Sequence, residues 1–206
     1  MSPEIHKLHR LPQRGRYDRE TIYAILDAAK VCHVGFAEGD QPFVIPMLYA
    51  RTGEEILLHG APTSRLIGHI AAGRPICISV AILDGLVLAK SAFHHSVNYR
   101  SVVLFGRGRL LEDAQEKLEA LRTLTEHLAP GRWEVVRPPN AAELRGTAVV
   151  AVAIENASAK VRSGPPADTD ADRALPVWAG VLPVREAIGA AIPADYCDEA
   201  LPAPTL

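Results

Sequence analysis

The 206-residue chain lacks the features that mark several common classes of protein. Its three cysteines are scattered and form no Cys-x-x-Cys pair, which argues against a disulfide framework and against a zinc knot. The longest apolar runs, at residues 76–83 and 148–154, are far shorter than the roughly 20 residues that a membrane-spanning helix needs. The 22 basic and 24 acidic side chains nearly balance, so no net basic surface favours nucleic acid or an anionic membrane.

Three motifs are missing as well. The first 20 residues contain no apolar core of the kind that a secretory signal requires, so we expect a cytoplasmic protein. No Gly-x-Gly-x-x-Gly follows a strand and opens a helix, which disfavours a Rossmann nucleotide site. No spacing of histidine, cysteine or carboxylate residues indicates a metal site. The length fits one domain with a single core.

Three segments have the periodicity of helices. The first follows Asp18, which can cap it, and repeats apolar residues at i, i+3, i+4 and i+7 for about three turns. A short second helix is expected within residues 63–72. The third begins at Asp113 with a capping-box Glu116 and ends at Pro130-Gly131. Its predicted apolar face consists of Leu118, Leu121, Leu124 and Leu128.

Short β-rich runs separated by turn residues fill most of the remaining chain. The predicted strands cover residues 31–36, 43–49, 56–59, 76–83, 86–90, 102–111 and one strand within 148–161. Asp84-Gly85 is interpreted as a hairpin turn, and Gly106 and Gly108 as a kink or bulge. Because strands and helices do not alternate regularly, we predict a mainly β, α+β fold: a barrel with helices packed at its ends.

Two segments carry residues suited to an anion. Around Gly60, a strand leads through a loop to Thr63, Ser64 and Arg65, where free N–H groups, hydroxyls and a guanidinium could bind a phosphate. Alternatively, Thr63 or Ser64 only caps the helix and Arg65 is solvated. Farther along, Arg100 and Ser101 begin an otherwise apolar strand. They could face a ligand at the barrel rim, or they could pack and pair at the surface.

The order of several short motifs along the chain resembles the pyridoxamine 5′-phosphate oxidase-like flavoproteins of split-β-barrel fold, and within them the nitroimidazole-resistance-like, FMN-binding branch. The matching stretches extend from about Tyr17 to Pro183. They are Ala29-Lys30-Val31, Val44-Ile45-Pro46-Met47-Leu48-Tyr49, Leu58-His59-Gly60, Ser64-Arg65-Leu66, Tyr99-Arg100-Ser101-Val102, Phe105-Gly106, His127-Leu128-Ala129-Pro130-Gly131 and Pro176-Val177-Trp178-Ala179-Gly180-Val181.

The resemblance implies an antiparallel six-stranded barrel with flanking helices, and a homodimer that holds two FMN molecules at its interface. The phosphate would lie at the Ser64-Arg65 turn, and Arg100 with Ser101 would contact the flavin or its phosphate. The complete set of implied cofactor-binding residues is Ile45, Pro46, Met47, His59, Gly60, Thr63, Ser64, Arg65, Leu66, Arg100, Ser101 and Trp178. Ile45, Pro46 and Met47 would lie along the isoalloxazine ring.

His59 is the candidate catalytic residue, because the resemblance puts it near cofactor and substrate and an imidazole can donate protons near neutral pH. It could instead be a structural histidine, and Trp178 could be a core anchor rather than a flavin contact. The Ala-rich tail after Arg185 lacks the Arg-x-His-Asp-Arg pattern of the true oxidases. We therefore do not expect genuine pyridoxamine phosphate oxidase activity.

The sequence thus predicts an FMN-dependent oxidoreductase that reduces nitroaromatic or related small acceptors. The alternatives are a non-catalytic flavin carrier or regulatory module, or the same fold with a deazaflavin or haem. We expect residues 1–162 to form the barrel, 163–174 a loop or linker, and 175–206 a C-terminal segment that packs on the barrel or on the dimer partner. No nucleic acid or membrane partner is expected.

Overall fold

An antiparallel sheet of ten strands dominates the computed structural model, which describes residues 5–198 and 200–204. The strands are β1 (Gly15–Arg16), β2 (Val31–Glu38), β3 (Gln41–Thr52), β4 (Glu55–Gly60), β5 (Ile76–Leu88), β6 (Ser96–Gly106), β7 (Gly108–Leu110), β8 (Ala148–Ala153), β9 (Asn156–Arg162) and β10 (Gly180–Pro183). The α-helices are α1 (Arg19–Ala28), α2 (Arg65–Ala71), α3 (Ala114–Leu128), α4 (Ala141–Gly146) and α5 (Asp170–Arg173).

The last strand in the order, β7, directly follows β6 in the chain, so the order comes back to β6. The neighbours run β1-β9-β6-β5-β2-β3-β4-β8-β7, and only Arg107 separates β6 from β7 along the chain. The ring therefore consists of β6 with β7, β5, β2, β3, β4 and β8. Long β3 joins its two halves, because residues 41–48 pair with β2 and residues 49–52 pair with β4. This is the predicted split barrel of six strands.

The helix starts are the ones that the sequence predicts. The Asp18 carboxylate accepts a hydrogen bond from the Thr21 amide at 2.8 Å and caps α1. Ser64 caps α2 through Ile67, and Asp113 caps α3 through the Glu116 amide. Each side chain satisfies one of the amides that a helix leaves unpaired in its first turn.

The apolar side chains form two layers. The barrel interior holds one cluster, which includes Leu26 of α1, Val34 and Leu104, all fully buried. A second cluster fills the space between α3 and the outside of β4 and β8, where Leu57 and Leu124 are buried. Strands β4 and β8 are therefore covered on both faces.

Several local predictions are wrong. Asp84-Gly85 makes no hairpin turn: β5 runs through it to Leu88, with a register shift between Leu83 and Gly85 where it pairs with β6. Residues 148–161 contain two strands, β8 and β9, rather than one. Leu128, predicted on the buried face of α3, is 50% exposed.

Residues after the barrel are tied back to β5. The Asp168 carboxylate accepts hydrogen bonds from the amides of Lys90 and Ser91 at 3.0 and 3.4 Å. Strand β10 then pairs with residues 85–88 of β5. A Cβ on Gly85 would lie 2.9 Å from Val181, so the glycine permits this close approach. Among the described residues, no helix is long and apolar enough to cross a membrane.

Candidate functional site

The turn that leads into α2 contains the predicted phosphate-binding residues. Gly60 ends β4 beside this turn, since a Cβ built there would lie 3.8 Å from the Ser64 hydroxyl. The Ser64 hydroxyl accepts a hydrogen bond from the Ile67 amide, and Leu66 points into the core. Thr63 is exposed. Helix α2 has only seven residues, so its dipole is a minor part of any anion attraction.

Arg65 is the cation of this turn. Its guanidinium carbon lies 4.4 Å from the centre of the Phe43 ring. Its Nε is 3.7 Å from an oxygen of Glu38, and the Arg65 side chain is 54% exposed. Among the described residues, no hydrogen bond engages the guanidinium. Arg65 is therefore placed by ring stacking and a loose ion pair, with its remaining N–H groups available to a ligand.

The three predicted flavin-contacting residues of β3 do not share one face. Ile45 and Met47 pack against the interior cluster, while Pro46 between them is exposed on the outside of the barrel. The alternation of side chains along a strand causes this separation. A ring lying on the outer surface would meet Pro46 and the strand backbone, but not the side chains of its two neighbours.

His59 lies next to the turn but faces away from it. It pairs in register with Val149, whose side chain belongs to the layer under α3, whereas Gly60 approaches the α2 turn. The Nδ1 atom of His59 is buried and has no hydrogen-bond partner within the described residues. A buried imidazole nitrogen without a partner costs free energy, so this atom is a candidate for contact with a bound group.

Arg100 and Ser101 lie elsewhere on the barrel. The Arg100 guanidinium donates to both oxygens of Asp84, with its closest contacts at 2.8 and 2.9 Å. This hydrogen-bonded ion pair raises the pKa of Arg100. The Ser101 hydroxyl donates to the backbone carbonyl of Lys160 at 3.3 Å. Both side chains already have partners in the isolated chain.

Trp178 is 61% exposed and precedes β10. Its ring covers Gly180, where a Cβ would lie 2.8 Å from the indole. Gly180 pairs with Leu88 at the end of β5. Trp178 therefore lies at the surface near Leu88 and does not fill the barrel core.

The predicted site residues thus fall into two groups within one chain. Phe43, under Arg65, belongs to the β2–β3 end of the sheet, where Gly35 pairs with Cys77 of β5. Arg100 pairs with Ile82, five residues farther along β5. At about 3.3 Å per residue, this offset is roughly 16 Å along the strand. Within one chain, the Arg100 guanidinium is bonded to Asp84 and the Arg65 guanidinium lies over Phe43.

The outer face of β2, β3, β5 and β6 is a feature that the sequence reasoning missed. Register pairs put side chains of these strands on one surface, and no helix covers it within residues 5–198 and 200–204. Val31 and Val44 are 50% and 67% exposed there. The surface carries no carboxylate, lysine or arginine. Its members are Val31, His33, Gly35, Val44, Pro46, Leu48, Cys77, Ser79, Ala81, Ser101, Val103 and Phe105.

His33 stands near the middle of this uncharged face, between Pro46 of β3 and Ser79 of β5. It is exposed and makes no hydrogen bond within the described part of the chain. Other histidines are engaged: His69 with the Pro75 carbonyl, and His127 with the Ala29 carbonyl. The signal for the face was present in the sequence, because residues 31–36 are apolar at nearly every position rather than at alternate ones.

Within the described residues, no three His, Cys, Asp or Glu side chains lie together as a metal site would require. Cys32 is buried in the barrel, and burial raises the pKa of its thiol to about 12. Burial also raises the pKa of Cys77. Neither thiol is activated as a ligand or nucleophile.

Residues 18–161 match the family of pyridoxamine 5′-phosphate oxidase. The chain belongs to this family. The matched range begins at the cap of α1 and ends in β9, so it spans the whole barrel. The curated protein sequences include no significant match.

Solved structures agree with this family. The flavocytochrome Anf3 from Azotobacter vinelandii is 42% identical, with a TM-score of 0.89, and the match covers 96% of this chain and 92% of that one. An FAD and haem binding protein from Mycobacterium smegmatis is 33% identical, with a TM-score of 0.89 over 93% and 94% of the two chains. A candidate 5-nitroimidazole antibiotic resistance protein from Bacteroides thetaiotaomicron shares the fold, at 23% identity and a TM-score of 0.61 over 71% and 86%.

Proposed function

We propose that this protein is a flavin-dependent oxidoreductase that takes haem as a second redox group and completes its cofactor site in a homodimer. The observation that carries the proposal is the 42% identity to a flavocytochrome over 96% of the chain. The relative at 33% identity binds FAD and haem by its name. The FMN predicted from sequence remains the alternative flavin, and FAD is the form we propose.

The phosphate-binding part of the proposal rests on Arg65. Its guanidinium is half exposed and engaged only by a ring and a loose carboxylate contact. Phosphate oxygens are strong acceptors for the arginine fork. Ser64 and the exposed Thr63 add hydroxyls at the same turn. These residues fit the phosphate of a flavin nucleotide.

The dimer part rests on two observations. The outer face carries no charged side chain and exposes Val31 and Val44 by 50% and 67%, and exposed apolar patches mark contact surfaces. The predicted cofactor residues also form two groups about 16 Å apart along β5, by the strand rise. Two copies related by a twofold axis would let Arg65 of one protomer and Arg100 of its partner serve one flavin.

Haem has candidate ligands in this chain. His33 on the outer face and His59 beside the turn both carry a ring nitrogen without a partner in the described residues. The sequence has no Cys-x-x-Cys-His motif, so any haem would be held without a covalent bond. When bound, the flavin would take two electrons from a donor and the haem would pass single electrons to a small acceptor.

The first experiment is the absorption spectrum of the purified full chain, with the released cofactors identified by mass. We expect flavin bands and a Soret band, an FAD mass, and reduction of both groups by a reduced nicotinamide. If the bound flavin is reduced but no acceptor reoxidises it, the result would instead favour a carrier or regulatory module. A chain that binds neither group would contradict the proposal.

Arg65→Ala tests the phosphate contact. Removing a charge-assisted hydrogen bond of about 1.5–3 kcal/mol should weaken FAD or FMN binding roughly ten- to hundredfold. Arg122→Ala is the control, because Arg122 pairs with Glu134 on the surface of α3. Equal affinities of the Arg65→Ala and unmodified proteins, measured by fluorescence titration, would contradict the assignment.

A further inference from the structure

Arg65 stands at the end of a stack of rings. The Phe43 ring under its guanidinium lies 5.2 Å from the Phe36 ring at an interplanar angle of 20°. Phe36 is 6% exposed and contacts the buried His69 ring at 4.8 Å. The His69 Nε2 atom in turn lies 3.0 Å from the Pro75 carbonyl oxygen. Phe43 is therefore a supported platform rather than a mobile surface ring.

The platform restricts where the guanidinium can lie. A free arginine side chain loses close to 2 kcal/mol of rotamer entropy when it is ordered. Stacking on Phe43 orders Arg65 before any ligand arrives, so less entropy is lost on binding. An arginine that is already in place binds a phosphate more tightly than a disordered one.

Glu38 acts in the opposite direction. It is the last residue of β2, and its carboxylate lies 3.7 Å from the Arg65 Nε atom with 40% of its side chain exposed. A phosphate that binds the same guanidinium must displace this carboxylate or accept its repulsion. Asp40, in the same turn, makes no ion pair within the described residues.

We propose that Phe43 and Glu38 together set the affinity and the phosphate selectivity of the flavin site: Phe43 positions Arg65, and Glu38 occupies it until a phosphate replaces the carboxylate. This inference rests on the proposed function, because it requires the flavin phosphate to bind Arg65. Phe43 and Glu38 do not themselves hold the cofactor and act on it through Arg65.

The test uses FMN as the probe, because FMN carries the same ribityl-linked phosphate as the proposed FAD. It compares FMN with riboflavin, which has the same ring and no phosphate. Dissociation constants are measured by flavin fluorescence on the full chain freed of cofactor. Phe43→Leu loses a cation–π contact, so we expect its dissociation constant for FMN to rise about two- to fivefold. Its dissociation constant for riboflavin should not change. Phe43→Tyr keeps the ring and should restore FMN binding. If Phe43 has only a structural role, Phe43→Leu would weaken the binding of FMN and riboflavin equally.

Glu38→Gln keeps the size of the side chain and removes its charge. We expect FMN binding to tighten about two- to fivefold, the range of an exposed ion pair, with riboflavin again unchanged. The gain should shrink at high salt, because salt screens exposed charges. Asp40→Asn removes a charge from the same turn and is the matched control, with no expected change. This second variant tests the proposal even if Phe43→Leu unfolds.

The outcomes separate the two proposals. Suppose that Arg65→Ala weakens FMN binding while Phe43→Leu and Glu38→Gln leave the ratio of the FMN and riboflavin dissociation constants unchanged. In that case the roles of Phe43 and Glu38 are wrong and the phosphate site stands. If Arg65→Ala leaves FMN binding unchanged, the phosphate assignment and the roles of Phe43 and Glu38 are overturned together. If the unmodified chain binds no flavin, the proposed function is overturned as well. Opposite shifts of FMN affinity in the two variants, with constant riboflavin affinity, are the supporting result.

Discussion

Strands β4 and β2 carry apolar residues on both faces, but only β4 has both faces covered. In β4, Ile56 and Leu58 point into the barrel while Leu57 packs under α3. In β2, Cys32 and Val34 point into the barrel while Val31 on the other side is 50% exposed. Both strands bury their inward-facing residues, but the outward-facing side is buried at Leu57 of β4 and open at Val31 of β2.

The difference shows where the fold is complete. A strand with apolar side chains on both faces is typical of sheets covered on both sides. Helix α3 supplies that cover for β4, β8 and the end of β3, where Ala50 is buried, whereas Val31 of β2 and Val44 of β3 stay half exposed or more, with no helix over them within the described residues. The uncovered face is the surface that we propose a second copy of the chain occupies.

Truncation inside the covered region should have the largest effect. Leu58 is fully buried between the strands of the barrel, so Leu58→Ala leaves a cavity and should lower the free energy of unfolding by about 2–5 kcal/mol. Urea denaturation measures this change. Val135→Ala, at a side chain that is 72% exposed, is the control and should cost less than about 0.5 kcal/mol. Equal losses in the two variants would contradict the assignment of β4 to the core.

A charge on the uncovered face should act on assembly rather than on folding. Val44 is 67% exposed, so Val44→Lys should fold normally but bury an unpaired ammonium in the proposed dimer. We expect the dimer dissociation constant to rise at least about tenfold, which corresponds to roughly 1.4 kcal/mol. Sedimentation equilibrium gives this constant. Val135→Lys adds the same charge elsewhere and is the control. Equal dimer dissociation constants for the two variants would show that the outer face is not part of the interface.

The same comparison explains how far the fold could be predicted. Caps at Asp18 and Asp113 are local signals, and both helix starts are confirmed. Asp84-Gly85 also has local turn chemistry, yet β5 continues through it because β6 and β10 pair with the strand on either side. The pairing of distant strands outweighs the preference of two residues. Likewise, the Ala-rich β9 is short of strand formers and is fixed by its pairing with β6.

The site shows the same limit. The turn from Gly60 to Arg65 is a continuous segment, so its arrangement follows from sequence. The stacking of Arg65 on Phe43 joins two elements 22 residues apart and has no local signal. Nor could the sequence show that Arg100 is held by Asp84, since the two residues lie on paired strands at the register shift between Leu83 and Gly85. Resemblance names residues but does not say which of them meet in one chain.

Helix α3, which covers β4 and β8, is joined to the end of α1 by a hydrogen bond from a titratable histidine. At the end of α3, the His127 Nε2 atom lies 2.8 Å from the Ala29 carbonyl oxygen, just after α1. Burial lowers the pKa of His127, and Lys30 and Arg51 lower it further, while the bond to Ala29 and the charge of Asp27 oppose them. The protonated imidazole is therefore less favourable in the folded chain than in the unfolded one.

The sign of the resulting pH dependence follows from linkage. Because the folded pKa is the lower one, the unfolded chain binds more protons as the pH falls below about 6.5, the ordinary histidine value. Stability contributed by neutral His127 is present above that pH and is lost as the pH falls through the folded pKa. His127→Gln keeps a neutral donor for Ala29 and should reduce the fall in urea midpoint between about pH 7 and pH 5. We expect this to be the smallest of the three effects, and an unchanged fall would mean that α3 stays docked on α1 whether or not His127 is charged.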